Sequence, residues 1–224
     1  MKRDFTTTVA GAFFLGAAAL LWLGWMLLPH HLGTYFQPDD FAAIARHLRL
    51  WLWMYRVHLF GMVLGAMALV ALATTVEPAG ARVLIWPGVA AGVAGLFVSA
   101  LAAAFYYHHG VWGAVVNAGK SPDEVRAFVE ALRIDTEYVT CLVCFGRVFS
   151  GLGLVVMAAG MVKGRLFPAW IPGLAALLGF SAMALTMGLP ERLPLYRPVL
   201  HLLAFWLAAT GAVLLRTGLR RETS

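Results

Sequence analysis

Charge is scarce in this chain. Only 12% of its 224 residues are Asp, Glu, Lys or Arg, against roughly a quarter in a soluble domain. Hydrophobic residues make up 61% and mean hydropathy is +0.80. A fold solvated only by water is excluded, and lipid is the expected solvent. Cysteine is scarce too. Cys141 and Cys144 allow a single bridge, so a disulfide scaffold is excluded.

Several catalytic signatures are missing. The chain has no G-x-x-x-x-G-K-[ST] phosphate loop, no H-E-x-x-H and no G-x-S-x-G elbow. Its histidines lack the repeated H-x-x-H-H clusters of a membrane di-iron hydroxylase. No internal repeat, low-complexity stretch or second domain is visible, so residues 1–224 read as one membrane domain. The formal net charge is +6. The basic residues sit mostly at the ends of apolar runs, where they orient spans and meet headgroups. Nucleic acid is therefore excluded as a partner.

What is abundant is apolar sequence in long runs. Six segments reach the roughly 20 residues that a bilayer crossing needs: 9–28, 57–76, 83–106, 138–162, 166–187 and 198–215. Each must be helical, because hydrocarbon leaves no partner for an open backbone. The first run extends to Leu28 and continues into Pro29-His30-His31 without a small-residue cleavage site, and reads as a retained span. Glycines inside the runs, as in "HLFGMVLGAMA" and "GRVFSGLGL", favour close helix approach within one chain or between chains. Homo- or hetero-oligomers are thus allowed.

Lys2, Arg3, Arg82, Lys163, Arg165, Arg216, Arg220 and Arg221 fall on one side of such a bundle. Acids included, that side carries a net charge of about +5 and the other about +1. Both termini are expected in the cytoplasm, as for a bacterial inner-membrane protein. The two long loops then face outward, and each carries an amphipathic helix signal. "SPDEVRAFVEALR" opens with a capping box from Ser121 to Glu124 and Pro122 at the first helical position. "DDFAAIARHLRLWLW" places Phe41, Ile44, Leu48 and Leu52 on one face. Both helices are expected on the outer membrane surface or as lids over the bundle. "GLPERLPLYRP" reads as a rigid outer turn, with Glu191 and Arg192 as a surface pair or gate.

All seven histidines fall on that outer side: His30, His31, His47, His58, His108, His109 and His201. His58, His108 or His109, and His201 come from three different spans at similar depth. Imidazoles converging from neighbouring helices can hold haem iron or another metal. His58 and His201 are the first choice of haem b ligands, with His108 or His109 as alternates. Gly61 and Gly65 follow His58 on its helix face and offer a bare wall for a flat cofactor. Arg56, Arg147 and Arg197 would pair with propionates. Arg147 lies deepest, roughly 12 Å inside its span at 1.5 Å per residue, where a charge implies a cavity or partner. It would serve a propionate or a quinone oxygen, and Tyr106 and Tyr107 would add hydrogen bonds.

Cys141 and Cys144 share a helix face. They read either as plain packing or as soft-metal ligands, for copper handling together with the outer histidines His58, His109 and His201. Tyr and Trp near span ends also suit an ordinary aromatic belt, and a histidine among them can be merely interfacial. The layout resembles, in outline, membrane cytochrome b subunits, which hold haem between histidines on neighbouring helices. No complete motif of theirs is present, so no residue role is carried over. The expected function is a redox-type subunit binding haem b or quinol near the outer face. A metal-handling protein or transporter is the second expectation. A structural or lipid-binding subunit of a complex is the third.

Overall fold

A computed structural model describes residues 2–27, 36–189 and 193–222. Helices α1 (Lys2–Leu27), α3 (Leu48–Thr75), α4 (Ala79–Val116), α6 (Arg133–Gly164), α7 (Trp170–Gly188) and α8 (Leu193–Glu222) are long. All six carry stretches long and apolar enough to cross a membrane. Two short helices, α2 (Pro38–Arg46) and α5 (Pro122–Ala131), lie in the connections. The described residues contain no strand. The chain is an all-helical integral membrane protein surrounded by lipid.

The long helices close into a ring. Each packs on two neighbours, in the order α1, α3, α4, α6, α7, α8 and back to α1. Among the described residues the α3 and α6 backbones do not come close, nor do those of α1 and α4. The middle of the ring is therefore left to side chains. The α7–α8 seam is tied by Trp206, whose Nε1–H donates to the Ile171 carbonyl at 3.1 Å. Trp206 is 1% exposed and meets Phe14 of α1 edge-on.

Glycine sets the distance between α4 and α6. A Cβ on Gly153 would lie 2.6 Å from the Gly92 amide nitrogen and 2.7 Å from the Gly88 carbonyl oxygen. The two backbones touch there, as expected for association driven by packing in lipid. The reading of Gly61 and Gly65 as a bare wall does not hold. A Cβ on Gly61 would meet Leu21 of α1 at 2.9 Å, and one on Gly65 would meet Leu96 of α4 at 3.3 Å. Both glycines serve helix packing and leave no flat surface.

Several boundaries differ from the sequence reading. The third span does not end at residue 106. α4 runs on through "FYYHHGVW" to Val116, and its 38 residues make about 57 Å of helix against about 30 Å of hydrocarbon. The "DDFAAIARHLRLWLW" helix is broken. His47 leaves the helical region (φ −126°, ψ 34°) and separates α2 from α3. This break lets α2 turn onto the projecting end of α4, where Gly110 and Gly113 admit Phe36, Phe41 and Ile44. Phe41 and Ile44 are buried by protein. α2 is thus a cap on the bundle, as the lid alternative expects. His30, His31, Glu191 and Arg192 lie outside the described residues.

α5 has the expected capping box. Glu124 Oε2 accepts from the Ser121 amide at 2.9 Å and from its hydroxyl at 2.8 Å. These two bonds hold the Glu124 carboxyl below the usual carboxylate range. A depressed carboxylate contributes stability above its unfolded pKa and loses it as pH falls through the folded value. Amide exchange in the first turn of α5 should therefore speed up as pH drops below the usual carboxylate range. Ser121→Ala should speed it already at neutral pH and flatten that dependence. Identical exchange in both proteins at both pH values would show that the box does not hold the turn.

Candidate functional site

Five helices and one loop residue line a cavity of about 230 Å³ in the ring, nearer the end capped by α2 and α5. Helical spacing explains its walls. Trp51, Tyr55, His58 and Met62 recur one turn apart on α3, so they share a face. Val143, Gly146, Arg147 and Ser150 do the same on α6, and Tyr196, Leu200 and Leu203 on α8. α4 contributes Ser99 and Tyr106, α1 contributes Leu21 and Trp25, and Phe36 closes one end. Most of this wall is apolar. The polar side-chain groups are few: one imidazole, one guanidinium, three phenols, two serine hydroxyls and two indole N–H groups.

His58 is placed by α1. Gly24 lets α1 approach so closely that a Cβ there would lie 3.1 Å from the His58 Cβ. Trp25 of the same helix meets the imidazole edge-on at 5.8 Å. Arg147 is placed by α8. Its guanidinium carbon stands 4.2 Å from the centroid of the Tyr196 ring. Arg147 is 9% and Tyr196 7% exposed, and a cation over an aromatic face is worth more when desolvated. Tyr55 is fixed by stacking on Trp51 and by the edge of Tyr107.

The structure brings together only part of the expected constellation. His58 and Arg147 line the cavity. His201 does not, because it sits about 100° around the helix from Leu200, away from the face that Tyr196, Leu200 and Leu203 share. His108 is exposed and stacks on Trp112. His109 stacks on Phe105 at 4.0 Å, with Nδ1 3.1 Å from the Phe105 carbonyl oxygen, a bond that requires the proton on Nδ1. The two histidines lie two and three residues beyond Tyr106, the last α4 residue on the wall. The Tyr107 ring packs on Tyr55 and is not part of the wall. Cys141 is exposed and Cys144 half-buried, and neither lines the cavity. Among the described residues no three His, Cys, Asp or Glu side chains converge on a common point.

Sequence reasoning missed Phe36, Trp25, Ser99 and Ser150 as wall residues. The signal for α3 was present: the Trp51-Tyr55-His58-Met62 stripe is a polar-aromatic face at helical spacing. The serines carry no such signal. They show only once α4 and α6 are known to cross at Gly95 and Gly146. Comparison with protein-family models, curated proteins and solved structures finds no match for this chain.

Proposed function

We propose that this chain is an integral membrane redox-type subunit whose interior cavity takes the ring of a quinol or quinone. The capped end would face the periplasm of a bacterial inner membrane, with both termini in the cytoplasm. One observation carries the reading. His58 and Arg147, from helices that are not neighbours in the ring, line the same largely apolar cavity in the membrane-spanning bundle.

The chemistry follows from that pairing. A quinone is a flat apolar ring with carbonyl acceptors on opposite edges. The apolar walls suit the ring, and such a ligand reaches the protein through lipid. Arg147 donates to one carbonyl with charge-assisted strength. An imidazole can donate to a carbonyl or, when neutral, accept the proton of a quinol hydroxyl. Tyr55, Tyr106 and Tyr196 supply further phenol groups within the wall. Haem b, the other ligand class, would find one imidazole among the described wall residues, His58, and Arg147 would face a propionate. The copper reading has less support, because Cys141 and Cys144 stand off this cavity.

The test is equilibrium binding of a short-chain benzoquinone to the protein in lipid nanodiscs. Saturable binding is expected, and His58→Phe should weaken it about tenfold, the worth of one hydrogen bond at 1.4 kcal/mol. Binding that never saturates, or that ignores His58→Phe, would sink the proposal.

A further inference from the structure

Among the described residues, the interior cavity and a polar cleft outside it share one side chain. At the capped end a polar cleft of about 520 Å³ is framed by α5, α6 and the start of α2. Arg126 and Glu130 of α5 and Arg133 and Glu137 of α6 lie along it. Phe36 lines this cleft and also lines the interior cavity, and it alone is common to both. α6 connects the two spaces by a single stripe. Thr136 is in the cleft, Arg147 is in the cavity, and buried Thr140 lies between them on the same face. The Thr136 and Thr140 hydroxyls donate to their own helix, at 2.8 Å to the Leu132 and Thr136 carbonyls. No charged side chain stands between cleft and cavity along this stripe.

Among the described residues, Phe36 is held by two neighbouring rings. It stacks on Phe41 at 5.2 Å and meets Tyr106 edge-on at 5.7 Å. It lies over the bare backbone of Gly110, where a Cβ would be 3.4 Å from its Cζ. It is 7% exposed. It precedes α2 and is not embedded in a span, so its rotation moves no membrane helix.

We propose that Phe36 is a gate between the polar cleft and the interior cavity. With the ring inward, the route from the polar cleft into the cavity is closed. With the ring turned into the cleft, water and small polar solutes reach His58 and Arg147. The gate stands on the geometry of the two spaces and does not depend on which ligand the cavity takes.

The test uses a reporter thiol. Ala103, a small wall residue, becomes Ala103→Cys in a protein carrying Cys141→Ala and Cys144→Ala. The probe is sulfonatoethyl methanethiosulfonate, whose charge keeps it out of hydrocarbon. Slow labelling is expected with Phe36 in place. Phe36→Ala should label about tenfold faster or more, the size of a modest population shift. If Phe36→Ala does not fold, Phe36→Leu keeps apolar bulk, loses the ring stack and should shift the rate in the same direction. Equal rates with and without the ring would overturn the gate, whether both are slow or both match a surface cysteine.

Discussion

Gly153→Ala is expected to lose about 3 kcal/mol of stability, at the upper end for overpacking one methyl group. The position leaves the chain no inexpensive response. The new Cβ would press on the Gly92 amide and the Gly88 carbonyl, which are backbone atoms. A side chain could rotate away, but backbone can only move as a helix. α4 and α6 would have to separate, and their separation would propagate along the crossing to Gly95 and Gly146, where the helices are also in contact. Gly173→Ala on α7 is the control, because a Cβ there meets nothing within 4 Å. It should be neutral or gain up to about 1 kcal/mol from helix propensity. Reversible unfolding in detergent measures both. Equal loss at both positions would mean that helix propensity, and not the crossing, sets the outcome.

Arg147→Leu should separate binding from folding. Removing the guanidinium forfeits its contact with the Tyr196 ring but also relieves the desolvation cost of a buried charge, so the protein should stay folded with only a small change in unfolding midpoint. Quinone affinity should fall about 100-fold, or 2.7 kcal/mol, near the upper range for a hydrogen bond to a charged group. Arg147→Lys should recover only part of this. A lysine keeps the charge but not the planar group that lies over Tyr196. If Arg147→Leu binds quinone as well as the parent, the guanidinium has no part in recognition. If it unfolds instead, its role is structural.

Much of the fold was legible because lipid removes choices. A run such as 138–162 must be a helix, and six such runs make a bundle. The α5 capping box was readable for a different reason: Ser121, Pro122 and Glu124 interact within one turn. Boundaries set by tertiary contact were not readable. Nothing local stops a helix at His47, and the break is explained only by α2 docking on the end of α4. Nor does the sequence mark where α4 leaves the hydrocarbon, since Tyr107, His108 and His109 are compatible with helix on either side of that boundary.

The candidate site divides in the same way. Arg147 was legible because a charge inside a span is costly and needs an interior setting. His58 was legible by its depth. The error lay in pairing it with His201 by depth alone. Depth is linear in residue number, but facing depends on rotation of about 100° per residue, and one residue separates His201 from the cavity face. The run "FYYHHGVW" divides likewise. Tyr106 faces the cavity, Tyr107 buttresses Tyr55, and the two histidines stand beyond on the projecting helix.

Photolabelling tests the central claim most directly. An azido-substituted quinone would be irradiated with the protein in nanodiscs and the adducts located by mass spectrometry. Adducts are expected on the cavity faces of α3, α6 and α8, between residues 51 and 62, 143 and 150, and 196 and 203, and unmodified quinone should compete them away. Adducts confined to exposed apolar residues such as Phe60, Phe97 and Leu177, and indifferent to competitor, would contradict a quinone site in the bundle.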